Sequence, residues 1–358
     1  MQNFTYQAAP MRVIFGTGTL RELPAELARL GIGRALILAT PHQARQAEEI
    51  AAMIGQRAVG TFAQAEMHTP VHVTERALLR VNELDADGVV AIGGGSTTGL
   101  GKAIARRTDL PQIVVPTSYA GSEMTPILGE TQDGLKTTQS SPKVLPETVI
   151  YDVDLTLTMP PSLSATSGLN AIAHAVEALY ARDQNPIISL MAEEGIRSLA
   201  RALPKIHVDA ADVEARTDAL YGAWLCGCCL GAVGMALHHK LCHTLGGTFN
   251  LPHAETHAAV LPHALAYNAS AAPQAMARIA RAIGREDAAG GLFELAGAIG
   301  VQRSLRELGM REQDIDRAAG IAVTNPYWNP RPVERETIRG LIARAWAGTA
   351  PVDDARHS

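Results

Sequence analysis

Along the first 150 residues, short apolar runs alternate with segments whose apolar residues return at helical spacing. Arg12–Phe15, Ala35–Ala39, Gly88–Ile92, Gln112–Val115 and Thr148–Tyr151 are rich in Val, Ile and Leu and bounded by Gly, Pro or polar residues, which predicts buried strands. Residues 19–30, 42–54, 73–84 and 98–107 lie between them and carry the 3.6-residue pattern of helices. Strand and helix in alternation predict βαβ units: a parallel sheet with helices on both faces. Near Asp154 the rhythm changes. Pro160-Pro161 opens a region without a strand run, where helices are expected over 162–181, 187–202, 213–245, 273–284, 289–299 and 335–346. The expected fold class is therefore α/β plus all-α. A Rossmann-like dinucleotide-binding domain spans residues 1–155, and an all-helical domain spans 156–358. No internal repeat or low-complexity linker separates them, so the boundary is tight.

Composition narrows the class of partner. The 358 residues are 47% hydrophobic and 19% charged, which is ordinary for a folded globular chain. Lys and Arg number 31 against 36 Asp and Glu, a net charge of −5 with no basic block. Nucleic acid and anionic membrane surfaces are therefore not expected partners. Of four cysteines, three crowd into Cys226, Cys228 and Cys229, a spacing unlike a disulfide framework and in keeping with a reducing cytoplasm. The opening MQNFTYQAAP has neither a positive n-region nor an apolar h-region, so no export signal is expected. Ala219–Leu237 is uncharged for 19 residues but is interrupted by Gly222, Gly227, Gly231 and Gly234. A central helix buried by other helices accounts for it better than a membrane span.

Val89-Val90-Ala91-Ile92 runs into Gly93-Gly94-Gly95-Ser96 and then into a helical pattern. A buried strand ending in three glycines lets backbone N–H groups approach a phosphate, and the following helix adds its positive N-terminal end and the Ser96 hydroxyl. Gly16-Thr17-Gly18 follows the first strand without a third glycine and is weak evidence alone. Thr40, just past the second strand, stands where an acidic residue would read a ribose 2′-hydroxyl. Its neutrality removes repulsion against a 2′-phosphate, so NADH and NADPH are both expected cofactors. Pro116–Glu123 follows the next strand at the C-terminal edge, where open α/β sheets bind ligands, and carries Thr117 and Ser118.

Six of the 12 histidines fall between residues 238 and 263. His239 and His243 are an i, i+4 pair on one helix face, followed past Gly246-Gly247 and Pro252 by His253, His257 and His263. Upstream, Asn170 and His174 repeat the i, i+4 spacing on another helix. Two helices and a loop can converge three or four imidazoles on one pocket, an arrangement for a divalent metal or for proton transfer. His42, His207 and His357 stand alone. The cysteine run with Cys242 could form a soft-metal site, but its Ala, Gly and Leu surroundings favour small core residues.

With these residues assembled, the chain resembles the iron-containing alcohol dehydrogenase family over nearly its whole length. The resemblance is carried by Phe15-Gly16, Gly93–Ser96, Pro116-Thr117-Ser118, Asp152-Val153-Asp154, Asn170 with His174, and the His239/His243/His253 segment ending in Leu261-Pro262-His263. Within the family, Gly93–Lys102 (GGGSTTGLGK), Tyr119–Thr125 (YAGSEMT), Gly168–Tyr180 (GLNAIAHAVEALY) and Asn329-Pro330-Arg331-Pro332 look like the maleylacetate reductases. The resemblance implies the two-domain fold, nicotinamide binding, a cleft carrying the histidines and a homodimer. It assigns cofactor contacts to Gly94, Gly95, Ser96, Thr117 and Ser118, with Lys136 as a further candidate.

Three departures bear on the chemistry. Most members chelate an ion through an Asp where this chain has Asn170, the glycine loop usually carries an Asp where Gly99 stands, and metal-dependent members have a small polar residue in place of His257. Without the carboxylate, affinity for Fe²⁺ or Zn²⁺ falls, so a divalent metal is doubtful; His174, His239 and His253 are its candidate ligands if one binds. Maleylacetate, a dicarboxylate, needs no Lewis acid in the same way. Its C=C is conjugated to a ketone, hydride can add at the carbon β to the ketone, and imidazoles can stabilise and protonate the enolate. The expected catalytic set is His243 as proton donor or as the polariser nearest the reacting carbons, with His174, His239 and His253 positioning the substrate or binding a residual ion and Asn170 donating a hydrogen bond. His257, Lys240 and Arg331 are weaker candidates for holding a carboxylate. The alternative is a metal-dependent alcohol or aldehyde dehydrogenase of the same fold.

Overall fold

The computed structural model describes residues 3–352. The chain divides into two compact units, one of Ala8–Met159 and one of Pro160 onward together with the N-terminal residues through Gln7.

In the first unit, β1 (Arg12–Gly16), α1 (Leu23–Arg29), β2 (Ala35–Leu38), α2 (Ala44–Ile54), β3 (Ala58–Phe62), α3 (Val71–Glu83), β4 (Gly88–Gly93), α4 (Gly95–Thr108) and β5 (Gln112–Pro116) follow in strict alternation. A hairpin of β6 (Ile127–Gln132) and β7 (Leu135–Ser140) intervenes before β8 (Thr148–Asp152). Six strands form one parallel sheet in the order β1-β8-β5-β4-β2-β3. Side chains alternate across it, and both faces are covered. Ile37, Val90, Ile92, Ile113, Val115 and Ile150 pack with Leu23, Leu27 and Ile50 from α1 and α2. Leu36, Leu38, Val89, Ala91 and Val114 pack with Val73, Ala77, Leu100 and Ile104 from α3 and α4. Burial on two faces explains why these strands read as unbroken apolar runs.

Two elements lie outside the expected set. β3 carries Gly60 in its interior, and a Cβ there would stand 2.7 Å from Leu84 Cδ1, so close packing against an edge strand costs it the side chain that would have marked it. The β6–β7 hairpin turns at Asp133-Gly134, both at positive φ (51° and 76°), the geometry an Asp-Gly pair favours.

The second unit is helical: α5 (Pro161–Ala178), α6 (Pro186–Val208), α7 (Val213–Ala232), α8 (Leu237–Phe249), α9 (His253–Asn268), α10 (Pro273–Ile283), α11 (Ala288–Ala298), α12 (Ile315–Ala322) and α13 (Arg335–Ala347). The single helix expected over 213–245 is instead two, α7 and α8, bent by 94° at a break over residues 233–236. Among the described residues no single helix is long and apolar enough to cross a membrane; the bent pair passes by length and composition alone. α9 was not expected. It is buried almost all round, so it lacks the polar stripe by which a surface helix is read. Gly195 and Gly222 let α6 and α7 approach closely, since a Cβ on Gly222 would lie 2.9 Å from Gly195 O. Gly222 of the uncharged stretch thus serves helix packing, and Cys226 and Cys229 are buried there without a disulfide.

Candidate active site

Two sets of groups were expected to carry the chemistry, and each is assembled within its own unit. In the sheet unit, β4 ends at Gly93, whose φ of 145° and whose neighbours, Thr97 Oγ1 at 2.5 Å and Gln43 Oε1 at 2.6 Å from an added Cβ, exclude any side chain. Gly94 is the N-cap of α4 and supplies no side-chain cap. The first-turn N–H groups of a 14-residue helix are therefore left for a ligand, together with the helix's positive end. Gly95 is exposed, and Gly94 and Ser96 are half-buried.

Thr117 and Ser118 follow β5 beside this loop. Thr117 N donates to Gly93 O at 3.0 Å, and a Cβ on Gly94 would meet Ser118 Oγ at 2.7 Å. Thr40 joins them through a residue missed in the sequence. Its hydroxyl donates to Gln43 Oε1 (3.1 Å), and Gln43 Nε2 donates to Thr117 Oγ1 (2.8 Å). One hydrogen-bonded chain so links the C-terminal ends of three neighbouring strands. Behind the loop, buried Lys102 donates to the carbonyls of Ser122, Thr125 and Ile127 and to Thr125 Oγ1. Burial pushes its ammonium down to about 7, offset in part by the Glu123 carboxylate, and its bonds fix the 116–127 segment against α4. Gly99, where the family usually has Asp, faces Thr69: an added Cβ would lie 2.2 Å from Thr69 Oγ1. The backbone of Lys136 pairs with Thr131 in the hairpin, and its side chain lies outside the described residues.

In the helical unit the histidines form one connected array. The His174 ring on α5 stands 5.2 Å from that of His239 on α8; His239 is 6.1 Å from His243, 5.3 Å from His238 and 5.1 Å from His257, which is 4.4 Å from His253. Burial grades across it. His174, His238, His239 and His257 are at most 4% exposed, whereas His243 and His253 are exposed and form its mouth. Desolvation, reinforced by the neighbouring imidazoles, pushes His174, His238 and His257 well below the usual histidine range. Those three rings are therefore neutral at pH 7. Asn170 Oδ1, His174 Nδ1 and His239 Nε2 are buried without a hydrogen-bond partner, so polar atoms there await a guest.

Two orienting residues were not singled out from the sequence. Glu177, one turn after His174 and fully buried, accepts from Ala236 N (2.7 Å) and His238 N (2.6 Å), and its Oε2 accepts from His239 Nδ1 (2.7 Å). It caps α8 from another helix and leaves His239 to present Nε2. This captured helix start accounts for the bend at residues 233–236. At the mouth, the Tyr327 hydroxyl lies 3.0 Å from His243 Nδ1. The segment carrying Tyr327 is pinned by a reciprocal amide pair, Asn268 with Asn329 (2.9 and 2.7 Å), and by Asn329 Nδ2 donating to Arg331 O.

Other named residues are placed elsewhere. Arg331 stacks its guanidinium 4.3 Å from the Tyr267 ring and donates to Tyr267 O. Lys240 Nζ lies 5.9 Å from the Tyr327 ring centroid, near the mouth. His257 is 1% exposed, behind His253. His263 is apart from the array, buried against the edge of Phe293 at 6.3 Å, with its pKa pushed down to about 4 by burial.

A profile of the iron-containing alcohol dehydrogenases matches residues 10–153, and one of the C-terminal part of the same family matches residues 164–346. The chain belongs to the iron-containing alcohol dehydrogenase family. It is 58% identical over 349 residues to a maleylacetate reductase of Sphingobium indicum, covering 98% of this chain and 99% of that one. It is 56% identical over 351 residues to one from Rhizobium sp., covering 98% and 100%. The crystal structure of maleylacetate reductase from Agrobacterium tumefaciens superimposes with a TM-score of 0.96 at 56% identity, covering 98% of this chain and all of that one.

Members of this family use NAD(P) and often a metal. The residues here are a poor fit to such an ion. The four positions that the resemblance assigns to the ion hold an amide, Asn170, and three imidazoles, His174, His239 and His253, with no carboxylate. Among the described residues, the group whose ligand atoms all gather within 4.8 Å is not His174, His239 and His253 but His238, Cys242 and His257.

Proposed function

We propose that the chain is a maleylacetate reductase: an NAD(P)H-dependent oxidoreductase that reduces the carbon–carbon double bond of maleylacetate to give 3-oxoadipate, as a step in the breakdown of aromatic compounds. The observation that carries this reading is the kept histidine array around a lost carboxylate, in a chain 50–58% identical over nearly its full length to proteins of that name. It acts as a cytoplasmic homodimer.

Hydride leaves the reduced nicotinamide and adds to the carbon β to the ketone. The C=C π pair moves to form the enolate, and the α carbon then takes a proton, so one hydride and one proton saturate the bond. His243 donates that proton. It is exposed at the mouth, and the Tyr327 hydroxyl occupies its Nδ1 side, so transfer runs through Nε2. His253 lies at the same mouth and holds a substrate carboxylate. Asn170, His174 and His239 turn polar edges toward the buried end, and Glu177 sets the His239 ring, so the substrate meets an amide and imidazoles where the family has an Asp. For the nucleotide, the N-terminus of α4 with Gly94, Gly95 and Ser96 takes the pyrophosphate. Thr117 and Ser118 take ribose or amide groups, and neutral Thr40 admits both NADH and NADPH.

The test is oxidation of NADH and NADPH with maleylacetate by protein that has been treated with chelator and assayed for metal. Turnover by metal-free protein is expected. Activity only on simple alcohols or aldehydes after Fe²⁺ or Zn²⁺ is added would overturn the reading in favour of a metal-dependent alcohol dehydrogenase.

A further inference from the structure

Behind the mouth of the array, three groups that the reduction does not use are gathered tightly. His238 and Cys242 lie one turn apart on α8, and His257 comes from α9. They are 0%, 2% and 1% exposed. His238 Nε2 is 3.1 Å from His257 Nδ1 and 3.6 Å from Cys242 Sγ. A tetrahedral ion with metal–nitrogen bonds of about 2.05 Å and metal–sulfur bonds of about 2.3 Å sets N···N edges of about 3.3 Å and N···S edges of about 3.6 Å. Both separations therefore fall within a few tenths of an ångström of the edges a single ion requires. Two imidazoles and a thiolate suit a soft or borderline cation and not a hard one.

Charge balance points the same way. A dication on one thiolate leaves one positive charge. Glu177, fully buried, supplies the compensating negative charge; its carboxylate, after burial itself, is what pushes the Cys242 thiol well above its usual range. We propose that His238, Cys242 and His257 form a buried site for one thiophilic d10 cation of the Zn²⁺ or Cd²⁺ kind, separate from the positions that ligate metal elsewhere in the family. Binding removes the Cys242 proton. The single proton between His238 and His257 moves to His238 Nδ1 or His257 Nε2, each a buried ring nitrogen without another partner, so one proton leaves per ion bound. The ion enters by local opening of α8 and is taken up slowly.

The experiment uses metal-stripped full-length protein incubated with one equivalent of Cd²⁺ in thiol-free buffer. It reads bound cadmium, the ultraviolet thiolate-to-cadmium charge-transfer band and the melting temperature. One bound equivalent, the band and a raised melting temperature are expected for the unaltered chain and for Cys228→Ala and His174→Gln. All three are expected to be lost in Cys242→Ala. No binding, or a band that survives Cys242→Ala, overturns the site; loss in His174→Gln with retention in Cys242→Ala places the ion at the family positions and overturns it as well. Maleylacetate-dependent NADH oxidation, measured on the metal-free samples, shows that Cys242→Ala is folded. If that activity is present without cadmium binding, this site fails alone; if it is absent in the unaltered chain, the proposed reductase function fails alone.

Discussion

The glycine loop and the histidine array do their chemistry with different parts of the chain. At the loop, the donors are backbone N–H groups at the start of α4, and side chains matter by being absent: Gly93 has no room for a Cβ. In the array, the donors are side chains from α5, α8 and α9, and what matters is what stands behind each: Glu177 behind His239, Tyr327 behind His243. A backbone site is encoded by neighbours in sequence. A side-chain site is encoded by residues from four stretches of chain whose meeting depends on packing. The first should be broken by adding atoms and the second by removing them.

The largest effect is expected at His243. Its replacement by Ala removes the proposed proton donor, and kcat with maleylacetate should fall by about 10³-fold, within the usual range for a general acid. NADH binding measured by fluorescence titration should stay within about twofold. Near-normal turnover would move the proton transfer elsewhere, with His253 the next candidate.

Acid should weaken the helical unit through His263. His263 has its folded-state pKa at about 4, below the ordinary value of about 6.5 for an unfolded chain. A base with a depressed folded pKa leaves the unfolded chain binding more protons, so stability falls as the pH drops from about 6.5 to about 4, by about 3 kcal/mol in all. Urea-unfolding midpoints measured from pH 7 to pH 4.5 should decline, and His263→Gln should flatten the decline. An unchanged slope in that variant would assign the acid sensitivity to other groups.

Gly93→Ala is the corresponding blow to the backbone site. The new Cβ sits at a φ of 145° and only 2.5 Å from Thr97 Oγ1, inside van der Waals contact, at a cost of about 1–3 kcal/mol. The KM for NADH should rise about tenfold with a small change in kcat. A larger change in kcat than in KM would mean that the loop shapes the reacting end of the cofactor and not its phosphates.

The smallest effect belongs to Tyr327→Phe, which deletes one hydrogen bond to His243. A loss of about 1 kcal/mol corresponds to a drop in kcat of about fivefold, with the KM for NADH unchanged. Steady-state kinetics of the variant decide whether Tyr327 orients the ring or merely abuts it.

How much of this could be read in advance follows the same division. The five principal strands, the glycine turn between β4 and α4 and the histidines at i, i+4 spacing are local patterns, and they stand where they were expected. The broken helix at 233–236 was not legible. Its residues are as apolar as a continuous core helix, and the break is stabilised by Glu177, more than 50 residues upstream in the chain. Gln43 and Tyr327 escaped for a similar reason, since nothing about either residue in its own neighbourhood announces its partner.

The amino-acid order by itself determined the alternation that builds a parallel sheet, the glycines of the tight turn between β4 and α4, and which ionisable side chains were available. Periodicity and backbone freedom are properties of adjacent residues, and they survive without the fold. Only the tertiary structure decided which imidazoles are buried and neutral, which two reach the mouth, which ring nitrogen each presents, and that His238, Cys242 and His257 gather more tightly than the family's own ligand positions. Those outcomes depend on desolvation and on hydrogen bonds between helices remote in sequence, and such contacts exist only once the core has closed.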